Sequence, residues 1–185
     1  MKNFIIITFI ALFSSLALAQ ECSIDLSRSA PNARYTPEQN GTVKDHLTGL
    51  TWMRCPVGKE WNSSDQICEG TTDTYFWQSA LTMVEAINDV NGNHKLHQFA
   101  GITKWRMPNI KELISLKEIA CHSPAVNTTV FDNAFNYEVG DLASYIWSNT
   151  PVSNGEEVYS FETVNAEIIS YNPAQHKLSV LLVAE

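Results

Sequence analysis

The chain has no run of five or six basic residues: its 12 Lys and Arg are scattered and outnumbered by 20 Asp and Glu. A formal charge of −8 disfavours DNA, RNA or an anionic membrane surface as a default partner. Glycine and proline are scarce, 8 and 7 among 185 residues, which excludes a collagen-like or low-complexity polymer. There is no CxxC, and none of the five histidines stands in an HxxxH array beside a cysteine, so the competing zinc reading lacks its usual spacing. Also missing is a G-x-S-x-G nucleophile elbow. No internal repeat suggests a solenoid, and no apolar stretch after the N-terminus is long enough to span a bilayer.

What is present describes an exported globular domain. Lys2 precedes an apolar run that ends in Ala17-Leu18-Ala19, the small-x-small pattern of a signal-peptidase site. Residues 1–19 are therefore expected to be a signal peptide, leaving a mature chain from Gln20 with no membrane insertion after cleavage. Loss of Lys2 makes the mature chain one unit more acidic still. Cys22 follows Gln20 and Glu21 rather than a small residue, which argues against a lipid anchor there. The four cysteines, Cys22, Cys55, Cys68 and Cys121, read first as two disulfides in an oxidising compartment. Cys55 and Cys68 form the local pair, and by exclusion Cys22 pairs with Cys121; chain entropy assigns about 3 and about 4 to 5 kcal/mol to the two loops. Polar character comes from 15 Asn, 14 Thr and 16 Ser more than from charge, which suits a hydrogen-bonding surface.

Residues 20–40 show little periodicity and read as an N-terminal arm, ahead of a domain over 41–185. Residues 41–54 read as a hairpin, with Leu50 and Trp52 on one face and Thr51 and Met53 on the other. Trp77, Ala80, Leu81, Val84 and Ile87 have helical spacing and stop at Asn91-Gly92. Asn109 and Glu112 form a variant capping box, opening a second helix with Ile110, Leu113, Ile114 and Leu116 inward, expected to run on to near Cys121. From His122 to Ser144 the sequence does not resolve into regular structure by pattern and reads as a long loop. Four β-prone runs follow, at 145–148, 158–161, 168–171 and 178–183, and are expected to form one C-terminal antiparallel sheet. The fold class is α+β with two helices.

Three blocks carry a family likeness: GTVKDHLTGLTWMRC (41–55), KWRMPNIKELISL with ACHSPAVNTTVF (104–131), and YIWSNT (145–150). Thr48-Gly49-Leu50, Trp52 and Cys55 match a "TGL-W-C" hairpin. Trp105-Arg106-Met107-Pro108 with Glu112-Leu113 matches "WRLP-x-x-x-EL", and Ile146-Trp147-Ser148-Asn149 approximates a "YWSS" strand. Together they resemble the Lcl C-terminal domain family, named after a collagen-like bacterial surface adhesin. The resemblance implies a C-type-lectin-like domain with a long loop region. The chain departs from many members at Leu181–Glu185, which lack the Arg and Cys found there, so nothing those residues do is carried over. In the turn block Arg106 is expected to pin a neighbouring carbonyl or carboxylate, a structural use.

These readings lead to an exported, non-enzymatic recognition domain that binds a glycan or a cell-surface protein in adhesion. The alternative is a structural or accessory subunit of a surface appendage or envelope complex. An enzyme of the formylglycine-generating branch, which would need a reactive thiol, is the third and least supported reading. Sugar binding without metal uses an aromatic platform beside amides or carboxylates. Trp61, Tyr137, Tyr145, Trp147 and Asn149 are the candidates, although the strand position of Trp147 also suits a core residue. Asp132, Glu138 and Asp141 are weak calcium candidates without a recognisable ligand spacing, and no cofactor is expected. The acceptor patterns at Asn40, Asn62 and Asn127 are expected to stay unglycosylated, since the resemblance is to bacterial proteins.

Overall fold

The computed structural model describes residues 20–185; the expected leader, Met1–Ala19, lies outside the described residues. Along the chain run β1 (Glu21–Cys22), β2 (Tyr35–Pro37), β3 (Thr42–Asp45), β4 (Thr51–Met53), β5 (Glu60–Asn62), β6 (Ile67–Glu69) and α1 (Trp77–Asn88). There follow α2 (Ile110–Ile114), β7 (Cys121–His122), β8 (Tyr145–Pro151), β9 (Val158–Glu162), β10 (Ile168–Tyr171) and β11 (Val183–Ala184). The result is a mixed α+β domain of two helices and antiparallel sheets, as the sequence implies.

The first hairpin closes because Asp45 organises its turn. Its carboxylate accepts from Leu47 N–H at 3.0 Å and from the Thr48 hydroxyl at 2.7 Å, while Gly49 takes φ +76°. Arg34 then meets both oxygens of Asp45 from the N-terminal arm and donates to Ser115 O at 2.6 Å. The arm is thereby tied into the body: β2 pairs with β3, and Cys22 sits directly opposite Cys121 in the β1–β7 pair, with the two sulfurs bonded. Buried Glu118 accepts the N–H groups of Ser29 and Ala30 at 3.0 Å each, holding the arm at a third point.

Two apolar clusters flank the sheet β11-β4-β3-β2. The alternation expected of the hairpin is present: Leu50 and Trp52 enter one cluster and Met53 the other. The last segment repeats it. Leu178, Val180, Leu182 and Ala184 pack with Met53, whereas Leu181 and Val183 pack with Trp52. This segment differs from the expected fourth strand of the C-terminal sheet. That sheet has three strands, in the order β10-β9-β8, and β11 pairs with β4. A strand with apolar side chains on both faces belongs between two cores, not on the half-solvated edge beside β10.

Helix α1 covers the expected residues but stops at Asn88, whose side chain donates to Trp105 O at 2.7 Å and accepts from Trp105 N–H at 2.9 Å. The capping box at Asn109 is formed in full. However, α2 ends at Ile114 instead of continuing to Cys121, and Ile114 is 43% exposed rather than inward. Arg34 takes the Ser115 carbonyl that a further helical turn would need, and Lys117 is drawn into a bridge with Val126. The segment 122–144 has little regular structure, as read, yet it supplies Val126, Val130, Phe131, Ala134 and Phe135 to the core.

Candidate functional site

The 56–67 loop closed by the Cys55–Cys68 disulfide folds into the hairpin β5–β6, with Trp61 opposite Cys68. Asn62 shapes its turn, accepting from Ser64 N–H at 2.9 Å and Asp65 N–H at 3.1 Å. Trp61 is fixed on several sides. The Arg54 guanidinium lies 4.1 Å from its ring centre, and its indole N–H donates to Gln39 O at 2.8 Å. Gly41 comes so close that a Cβ there would stand 2.7 Å from Trp61 Cγ and 3.0 Å from Phe99 Cζ. Arg54 is itself buried and donates to Val130 O at 2.7 Å; burial pulls its guanidinium below the ordinary Arg value, with Asp132 acting the other way.

Beside Trp61 opens a cleft of about 340 Å³ floored by Met53, Leu96 and Phe99. Its rim is polar, with Asn40, Ser63 and the Glu60–Lys95 pair, whose Nζ and Oε1 are 3.5 Å apart. On the other side of Lys59 lies a second cleft, of about 440 Å³, lined by Thr72, Asn133, Asn136, Tyr137 and Asp141. Lys59 borders both clefts. Its ammonium donates to Asn133 O at 2.6 Å, and burial holds it below the ordinary Lys value. Asn133 in turn donates to Cys68 O at 2.9 Å, so the second cleft is also hinged on the disulfide loop.

Of the expected site residues, Trp61 lines the first cleft, and Tyr137 and Asp141 line the second. The other five, Asp132, Glu138, Tyr145, Trp147 and Asn149, line neither. Trp147 is fully buried, its indole N–H on Tyr75 O at 2.8 Å, and presents no stacking face. Tyr145 packs edge-on against Tyr171 at 5.4 Å, and burial followed by the Tyr171 hydrogen bond pushes its hydroxyl up to about 12. Asn149 is exposed, but its side chain donates to Met107 O at 3.3 Å and its backbone N–H to Pro108 O at 2.8 Å, fastening β8 to the Trp-Arg-Met-Pro turn. The weak calcium candidates are not gathered. Among the described residues no group of three or more His, Cys, Asp or Glu converges, and Asp141 spends its carboxylate on Ala143 N–H and the Asn136 amide.

Arg106 does meet a carboxylate: it forms two parallel 2.8 Å bonds with Glu112. Burial of Glu112 opposes its charge, but Arg106 and the Asn109 N–H outweigh it and hold the carboxyl below the ordinary Glu value. The charged groups of this corner are paired. A nucleophile, base and carboxylate do line up at Ser123, His122 and Glu21, yet the links are 3.5 and 3.4 Å and His122 and Glu21 are solvent-exposed, too loose for a proton relay. All four cysteines are in disulfides, which leaves no free thiol. Gly41 and Arg54, the residues that hold Trp61, were not identifiable as such from sequence. The signal available was a glycine opening the hairpin block and an Arg beside Cys55.

The chain is thus a disulfide-bonded α+β domain with clefts beside a cross-linked hairpin. Among the described residues no helix is long and apolar enough to cross a membrane. Comparison with protein families matches residues 41–184 to the Lcl C-terminal domain, and the chain belongs to that family. No curated protein and no solved structure matches.

Proposed function

We propose that this is an exported, non-enzymatic recognition domain that takes a neutral glycan in the aromatic cleft at Trp61, in the service of adhesion. The observation that carries the reading is the rigid mounting of Trp61 by Arg54, Gly41 and Gln39 at the edge of a cleft with an apolar floor and an amide, hydroxyl and carboxylate rim. Sugar rings present apolar faces to aromatic side chains and hydroxyls to such a rim, and fixing the side chain beforehand lowers the ordering cost of binding. The acidic chain favours a neutral sugar over a polyanion. Two disulfides suit an oxidising compartment outside the cytosol. The test is a glycan array probed with residues 20–185 in oxidised form, repeated with Trp61→Ala. Binding to a neutral glycan that falls at least about tenfold in the variant supports the reading, since a buried aromatic contact is worth that much. No bound glycan, or binding indifferent to Trp61, contradicts it.

A second reading, a subunit packed against neighbours in a surface assembly, rests on a different face. Leu26 and Ile119 line a shallow cleft beside the Cys22–Cys121 bond, and Ile24 is 96% exposed. Cross-linking on the producing cell that captures a protein through this face, lost in Ile24→Ser with Leu26→Ser, supports it; unchanged capture by the double variant removes it.

A further inference from the structure

Part of the Trp61 cleft is built by one short stretch of chain, residues 94–99, which supplies Lys95, Leu96 and Phe99. Its backbone is irregular. Gln98 and Ala100 take left-handed φ values of +52° and +55°, which residues with a Cβ adopt only where their surroundings impose it. The turn is closed by His97 N–H on His94 O at 2.8 Å, by Phe99 N–H on Leu96 O at 3.1 Å, and by Leu96 N–H on the His94 ring. The last bond is conditional. Leu96 N–H donates to His94 Nδ1 at 3.1 Å, so that nitrogen keeps its lone pair and the ring is neutral, with its proton on Nε2. A proton added at Nδ1 sets two donors against each other, and the bond is lost. His97, three residues on, is the opposite case: its Nδ1 meets Ile87 O at 3.0 Å, a carbonyl that only accepts, so that bond survives protonation of the ring.

We infer that His94 is a pH-sensitive latch on the Trp61 cleft: its neutral ring fixes residues 94–99 in the arrangement that forms the cleft, and uptake of a proton at Nδ1 withdraws the acceptor from Leu96 and loosens that stretch. This adds a control to the proposed glycan site and rests on that reading for its effect on binding. The surroundings set the direction. Burial, and then the neighbouring Lys95, hold the His94 ring below the ordinary His value. The charged groups of the adjoining elements are engaged elsewhere: Glu60 of the hairpin with Lys95 at 3.5 Å, Lys59 with Asn133 O, and Asp89 at the end of α1 with Asn91 N–H. The latch is therefore complete above the ordinary His range and is lost as the pH falls through the lowered value. A ligand resting on Leu96 and Phe99 prefers the latched form, so its affinity falls in acid.

The experiment follows residues 20–185 by NMR from about pH 7.5 to about pH 5, the range in which His changes charge. It reads the His94 ring nitrogens, the Leu96 amide and the Trp61 indole N–H in wild type, His94→Asn and His94→Ala. Asparagine offers an acceptor two residues ahead of Leu96 N–H that does not titrate here, whereas alanine offers none. The expected wild-type result is a Leu96 amide and a Trp61 indole N–H that move together with the protonation of His94. In His94→Asn both should hold their neutral-pH positions throughout, and in His94→Ala both should sit at the acid positions throughout. Calorimetry with the β-1,4-linked tetramer of N-acetylglucosamine then reads the effect on the site. Affinity should fall at least about threefold from pH 7.5 to pH 5 in wild type, stay high in His94→Asn and stay low in His94→Ala, the loss of one hydrogen bond. A His94 ring that titrates without moving the Leu96 amide, or the full wild-type pH response in His94→Asn, overturns the latch. Failure of the tetramer to bind at either pH counts against the glycan reading alone, because the ring and amide resonances decide the latch without a ligand.

Discussion

The corner at Arg106 and the hairpin at Trp61 are both built around a charged side chain beside a tryptophan, and they end in opposite states. At the corner the charged groups are matched, while the buried indole N–H of Trp105 has no partner. Arg106 and Glu112 share two bonds, Glu112 also accepts Asn109 N–H, and Trp105 is buried with its backbone N–H and C=O both bonded to Asn88. At the hairpin Arg54 is used to steady an aromatic ring that borders open space. Charges that are paired within the fold are scaffold; an aromatic ring held rigid beside open space is where a partner adds free energy of its own.

The comparison breaks or sharpens under substitution. The largest loss is expected from Asp45→Ala, which strands buried Arg34 and removes the hairpin turn: about 3 to 5 kcal/mol in urea unfolding, for a pair on the scaffold side. Gly41→Ala is next. The φ of +85° and the approach of Trp61 make an added Cβ cost about 1 to 3 kcal/mol, and glycan affinity should fall with it because the ring is displaced. Unfolding that is unchanged in Gly41→Ala would show the Trp61 mounting to be soft.

Smaller still is Glu112→Gln, at about 1 kcal/mol, with a pH signature. For Asp45, burial resists the charge but Arg34, Thr48 and Leu47 N–H outweigh it, and Glu112 is governed alike by Arg106 and Asn109. Both folded-state values lie below the unfolded ones. Their stabilisation is therefore complete above the ordinary carboxylate range and is lost as pH falls through the depressed folded values. The acid limb of the stability curve should be shallower in Glu112→Gln than in wild type, with glycan affinity at neutral pH unaltered. Least of all, Lys95→Ala at the exposed rim pair should change stability by no more than about 0.5 kcal/mol.

Much of the scaffold was readable in advance because it repeats local patterns. The alternation of Leu50, Trp52 and Met53, the helical spacing from Trp77 to Ile87, the Asn109–Glu112 cap and both disulfide pairings carry their own signals within a few residues or by elimination. What was not readable depends on distant partners. The early end of α2 follows from Arg34, 81 residues away, taking Ser115 O. The placement of Leu178–Ala184 between two cores follows from pairing with β4 and bridging to Tyr75 and Arg106, none of which its own alternation names. Trp61 and Tyr137, which line the two clefts, were picked by residue type. Trp147 shares that type but faces the core, and no spacing distinguishes a tryptophan at a cleft from one beneath a sheet. Gly41 was legible as a turn residue only; its reason is the ring of a residue twenty positions on, which must lie against it.

The most direct test maps where a sugar lands. Amide and indole resonances of residues 20–185 are followed by NMR during titration with a neutral glycan, the β-1,4-linked tetramer of N-acetylglucosamine. The account predicts shifts gathered at residues 59–61 and 95–99, including the Trp61 indole N–H, while the resonances of residues 105–112 hold still. Shifts centred on the Arg106 corner, or a tetramer that moves nothing at Trp61, would contradict it.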